Sequence, residues 1–75
     1  MTLEAAFGSV IKQLRTEKGL SQENLSFESN LDRSYISQLE CGLRQPSLLT
    51  IFQLAKALQI SPTQIMESVE LLYNQ

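Results

Sequence analysis

Between Ser21 and Glu40 the chain reads SQENLSFESNLDRSYISQLE, a polar run rich in helix formers with only a few apolar residues at irregular intervals. One continuous amphipathic helix would repeat its apolar residues every three to four positions along the whole run. This stretch does not, and Asn30-Leu31-Asp32 interrupts it near the middle. Ser21 has the chemistry of an N-cap, with Asn24 three residues on, where a Glu or Gln would complete a capping box. Asn is the non-glycine residue that best tolerates a positive φ, so Asn30 is the expected turn. Asp32 is the expected N-cap of a further helix through Glu40, closed by Gly42. The segment over about 21–41 is thus limited to two helices of about two turns each, set at an angle across a tight turn.

The flanking sequence is helical too. Leu3, Phe7, Val10, Ile11 and Leu14 share one face of a first helix reaching about Lys18, where Gly19 supplies a left-handed stop. After Leu43-Arg44-Gln45-Pro46, Ser47 caps a fourth helix carrying Leu48, Ile51, Phe52, Ala55 and Leu58. Ser61-Pro62-Thr63-Gln64 is another start signal, a capping box with Pro at the first helical position. The fifth helix carries Ile65, Met66, Val69, Leu72 and Tyr73. The expected architecture is all-α, a compact five-helix bundle forming one domain over 1–75. Its helices over about 47–73 are expected to serve both the core and dimerisation.

Composition narrows the function. A chain of 75 residues buries only about 60% of its unfolded surface, so it gains from association. A hydrophobic fraction of 43% argues against disorder. No apolar run approaches the roughly 20 residues of a membrane span, and no signal peptide is read, so no membrane partner is expected. There is no histidine, and Cys41 is the single cysteine. An internal disulfide, a Cys/His metal site and a Ser/His catalytic pair therefore cannot be built. No catalytic residue, metal ligand or cofactor is assigned, and the expected setting is a reducing cytoplasm. The net charge of −2 is awkward for a nucleic-acid binder, but distribution matters more than the sum. Residues 33–66 hold Arg33, Arg44 and Lys56 against Glu40 alone, so the middle of the chain is its basic part.

On a helical wheel of the third helix, Ile36 and Leu39 mark the buried side. Arg33, Ser34, Ser37 and Gln38 cluster opposite, spaced i, i+1, i+4 and i+5. An Arg fork fits guanine O6 and N7, Ser donates or accepts at base or phosphate, and Gln can bond adenine bidentately. A plain solvated face also accounts for such a stripe, and for a stripe taken alone it is the commoner case.

Three runs shift that balance. LRTEKGLSQENL at 14–25, LDRSYISQLECG at 31–42 and RQPSLLTIFQLAKAL at 44–58 resemble, in order and spacing, the phage-repressor and Cro-like (XRE-type) helix-turn-helix regulators. The resemblance runs from about Val10 to Met66. Residues 31–37 are especially similar to the controller proteins of restriction–modification systems. In that family Gln22 opens the motif, while Ser26 and Asn30 stand where a small residue and a glycine are usual. The resemblance implies a lambda-repressor-like domain whose third helix enters the DNA major groove.

Arg33, Ser34, Ser37 and Gln38 are then the expected base contacts. Gln22, at a helix start where free N–H groups favour an anion, is an expected phosphate contact. Arg44, Gln45 and Ser47, just beyond the recognition helix, are expected to grip the backbone on its far side. Tyr35 flanks the reading face and either touches sugar–phosphate or packs on Phe27. The resemblance also implies a structural salt bridge between Arg15 and Glu40. The apolar stripe of the last two helices, with Leu49, Leu58, Met66, Val69, Leu72 and Tyr73, is the expected self-complementary dimer patch. The expected function is a sequence-specific, double-stranded-DNA-binding repressor or controller, not an enzyme. It is expected to act in the cytoplasm, at the nucleoid, as a homodimer on a two-fold symmetric operator, with no small-molecule ligand. The alternative is a protein-interaction or antitoxin-like adaptor module; the acidic pI favours it, and Arg33 on an exposed face opposes it.

Overall fold

The computed structural model describes residues 1–75. Five helices follow one another without a strand: α1 (Leu3–Glu17), α2 (Gln22–Ser29), α3 (Arg33–Glu40), α4 (Leu48–Leu58) and α5 (Pro62–Tyr73). Local chemistry sets most of the boundaries. Thr2, Ser21, Ser47 and Ser61 each accept a hydrogen bond from the backbone N–H three residues on. At α2 the Asn24 side chain returns to the Ser21 N–H at 3.3 Å, so the shorter amide completes the capping box that Glu or Gln usually closes.

Asn30 makes the turn between α2 and α3. It sits in the left-handed region at φ 58°, ψ 34°. The Leu31 N–H returns to the Ser26 carbonyl at 3.2 Å. Ser26 is more than a small residue at this corner, because its hydroxyl donates to the Leu31 carbonyl and ties the two sides of the turn. Asp32 has the extended geometry of an N-cap, but its carboxylate caps no backbone N–H and instead accepts from the Ser34 hydroxyl. Gly42, at φ 74°, closes α3, with the Leu43 N–H returning to the Gln38 carbonyl at 2.9 Å. A Cβ at Gly42 would also lie 3.0 Å from the Ala5 Cα, so glycine is required here twice over. At the end of α4 the left-handed residue is Gln59, φ 60°, a stop that carries no sequence signal.

α1 packs on α3 and α5, α2 on α3 and α4, and α4 on α5. The core gathers Phe7, Val10 and Ile11 from α1, Leu25 from α2, Ile36 and Leu39 from α3, Leu54 and Leu58 from α4, and Ile65 and Val69 from α5. The buried face of α4 differs from expectation. Thr50, Leu54, Ala55 and Leu58 turn inward, while Leu48 and Phe52 are 74% and 55% exposed. The sequence LLTIFQLAKAL is apolar on most sides, so periodicity selects no face; packing against α2 and α5 does.

The same packing corrects the expected dimer patch. Leu58 is 0% and Val69 1% exposed, so both belong to the core and neither can meet a partner. Leu72 is half-buried against that core, whereas Leu49, Met66 and Tyr73 remain exposed. No helix is long and apolar enough to cross a membrane.

Candidate nucleic-acid interface

Helix α3 is anchored from behind by Ile36 and Leu39, both fully buried. This leaves Arg33 and Ser34 exposed and Ser37 and Gln38 half-buried on the outer side. The structure therefore brings the four expected base-contacting residues onto one face of one helix.

Glu40 fixes the orientation of that helix. The Arg15 guanidinium meets its carboxylate as a fork, Nε to Oε2 at 2.7 Å and Nη2 to Oε1 at 3.0 Å. Arg15 Nη1 also donates to the Leu20 carbonyl at 2.8 Å. Gln22 Nε2 donates to Glu40 Oε1 at 3.0 Å, so one carboxylate joins α1, α2 and α3. Hydrogen bonding to Glu40, reinforced by its charge and opposed by burial, raises the Arg15 pKa above its usual value. The pair that the resemblance implied is thus present, with a third member. Gln22 is drawn toward the protein, and what it offers at the helix start is chiefly its backbone N–H.

A second cluster continues the surface beyond α3. The Tyr35 hydroxyl lies 3.2 Å from Thr50 Oγ1 and 3.5 Å from the Gln45 carbonyl. These contacts, not Phe27, hold the ring, since Phe27 is 86% exposed. The Arg44 guanidinium stands over the Tyr35 ring, 5.2 Å from its centroid, and donates from Nη1 to Gln38 Oε1 at 3.0 Å. Gln45 Nε2 donates to Glu4 Oε2 at 3.1 Å. A backbone N–H first, and Gln45 second, hold the Glu4 carboxyl below its usual pKa. Ser47 is occupied as the α4 cap, 3.0 Å from the Thr50 N–H, yet stays exposed. Arg44 and Gln45 therefore adjoin the outer face of α3 through Tyr35, and Ser47 follows through Thr50. No three His, Cys, Asp or Glu side chains stand together as a metal site.

Two short helices joined by a left-handed turn, the second presenting a polar face, define a helix-turn-helix protein. The comparisons agree. The helix-turn-helix family model matches residues 11–65. Control protein C.BamHI of Bacillus amyloliquefaciens is 42% identical over 62 residues, covering 81% of this chain and 76% of its own. The solved restriction–modification controller protein C.AhdI from Aeromonas hydrophila superposes with a TM-score of 0.81 at 50% identity, over 83% of this chain and 94% of that one. Wild-type controller protein C.Esp1396I gives a TM-score of 0.89 at 33% identity, over 100% and 96%. The chain belongs to the helix-turn-helix family and is a DNA-binding transcriptional regulator.

Proposed function

We propose that this regulator is a repressor or controller that acts, as a single domain, in a homodimer on a two-fold symmetric operator in the cytoplasm, without enzymatic activity. The observation that carries the reading is the outer face of α3, where Arg33, Ser34, Ser37 and Gln38 form a polar stripe with no acid among them. Those four side chains read base edges. Arg44, Gln45, Ser47 and Tyr35, with the α2 start at Gln22, hold phosphates beside them. The controller role is supported by the similarity to proteins named as control or controller proteins.

Exposed Leu48, Phe52 and Met66 line one groove between α4 and α5, with Leu49 and Tyr73 also exposed. This surface would pair across the two-fold axis, and successive major grooves require the two recognition helices to stand roughly 34 Å apart, one helical turn of DNA. The test is an operator selected from random duplexes and titrated with wild type and Arg33→Ala. Loss of the guanidinium fork should cost about 1–3 kcal/mol and relax preference at one position in each half-site. With about four to eight phosphates neutralised, the log–log salt slope should lie near −4 to −7. Undiminished affinity of Arg33→Ala, or a flat salt response, would refute the reading.

A further inference from the structure

We infer that Arg44 determines which base Gln38 reads, by holding the amide oxygen of Gln38 and leaving its amine end for the groove. The inference rests on the proposed base contact of Gln38 and adds a chemical direction to it.

A free glutamine can turn either end of its amide outward, and bidentate recognition of adenine uses both ends, the oxygen accepting from N6 and the amine donating to N7. Gln38 is not free in this sense. Arg44 Nη1 lies 3.0 Å from Gln38 Oε1. A guanidinium has donors only, so the oxygen must face it and the amide cannot flip without losing the bond. Its positive charge beside Oε1 also opposes the approach of a second donor such as the adenine N6 amine. The amine of Gln38, on the other side of the amide carbon, keeps hydrogens to give. They suit an edge made of acceptors, which is guanine N7 and O6.

Arg44 is itself held in place. Its guanidinium stands 5.2 Å from the Tyr35 ring centroid, and the Tyr35 hydroxyl is fixed 3.2 Å from Thr50 Oγ1 at the start of α4. One N–H of five goes to Gln38, so the others still meet a phosphate. Arg44 is thus a positioning residue for Gln38 as well as a backbone contact. Those two roles make different predictions: losing a phosphate contact weakens all sequences about equally, whereas losing a positioning contact changes which base is preferred.

Random-duplex selection at one fixed salt concentration, with the full chain, separates them. The variants are Gln38→Ala, Arg44→Ala and the double substitution, each checked for an unchanged thermal melt. Wild type should prefer guanine at one position of each half-site, and Gln38→Ala should flatten that position. Arg44→Ala should move its guanine-to-adenine ratio toward adenine by roughly fivefold or more, an effect absent when Gln38 is already Ala. If Arg44→Ala weakens every sequence alike with that ratio unchanged, the coupling is overturned while the base contact stands. A wild-type preference for adenine at the Gln38 position also overturns it. If Gln38→Ala leaves every position unaltered, Gln38 reads no base, and both the contact and the inference built on it fail.

Discussion

Gly8→Ala sets two effects against each other inside α1. Helix propensity alone favours alanine, by roughly 1 kcal/mol at an interior position. Packing opposes it. A Cβ on Gly8 would lie 2.2 Å from the Leu39 carbonyl oxygen and 2.8 Å from that of Glu40. Ordinary carbon–oxygen approaches are about 3.3 Å or more, so α1 and α3 would have to part by on the order of 1 Å. Both obstacles are backbone atoms, and no side-chain rotation relieves them.

Overpacking typically costs 1–3 kcal/mol, and two backbone contacts place this case at about 3 kcal/mol or above. The net loss after the propensity gain is then about 2 kcal/mol, a large share of the roughly 4–11 kcal/mol expected for a chain of this length. Because the displaced element is the recognition helix, operator affinity should fall by more than the unfolded fraction accounts for. Urea unfolding of Gly8→Ala, beside Ser9→Ala as an exposed control in the same helix, measures the first effect. Operator titration under conditions where both variants are folded measures the second. A Gly8→Ala protein as stable as wild type would show that the α1–α3 crossing is not limited by this contact.

Glu40→Ala should cost about 3–5 kcal/mol, because it leaves the part-buried Arg15 without its counter-charge; a urea-unfolding free energy within about 1 kcal/mol of wild type would refute this. Arg15→Met with Glu40→Leu should recover much of that loss, since the charge and its partner then leave together. Asn30→Gly should be neutral or slightly stabilising, whereas Asn30→Val should lose about 1–2 kcal/mol, because φ is 58° there. Thermal melts compare the two, and a harmless valine would contradict the strain. Phe52→Asp with Met66→Asp alters only exposed side chains and should give a folded monomer with much reduced operator affinity. Sedimentation of a folded protein that remains a dimer would place the interface elsewhere.

The helix boundaries were legible because caps are local chemistry: Ser21, Ser47 and Ser61 each act within three residues of themselves. Asn30 was legible for the same reason, since few residues accept its backbone geometry. The face of α4 was not, because LLTIFQLAKAL is apolar nearly all round and the choice between faces is made by α2 and α5. The burial of Leu58 and Val69 is not legible for a related reason, as a stripe does not say which of its members meets its own core. Gly8 stood inside an apolar helical pattern, and a glycine tolerated there despite its propensity cost is itself a signal of close approach. The carbonyls it must clear lie more than thirty residues along the chain, so the sequence could raise the question without answering it. Gln22–Glu40 and Arg44–Gln38 were invisible because each depends on how separate segments meet.

The acidic balance of the whole chain is compatible with a phosphate-facing surface because of where the acids lie. Glu40 is the only acid between Arg33 and Met66, and its side chain is 3% exposed. Arg15 neutralises it at 2.7 Å, in the one salt bridge of the chain, and Gln22 adds a third donor. Arg33, Arg44 and Lys56 are exposed and pair with no carboxylate. Glu67 and Glu70 line the α4–α5 groove with Phe52 and Met66, a groove to which α3 contributes nothing. Three acids are exceptions: Asp32 is exposed at the front of α3, where it receives the Ser34 hydroxyl, Glu23 is exposed in the first turn of α2 beside Gln22, and Glu4 receives the Gln45 amide. At physiological ionic strength charges are screened over about 8 Å, well short of the molecule's 32 Å long axis. A phosphate beside α3 therefore responds mainly to Arg33, Arg44 and the few acids near them, and the net charge of −2 reaches it weakly.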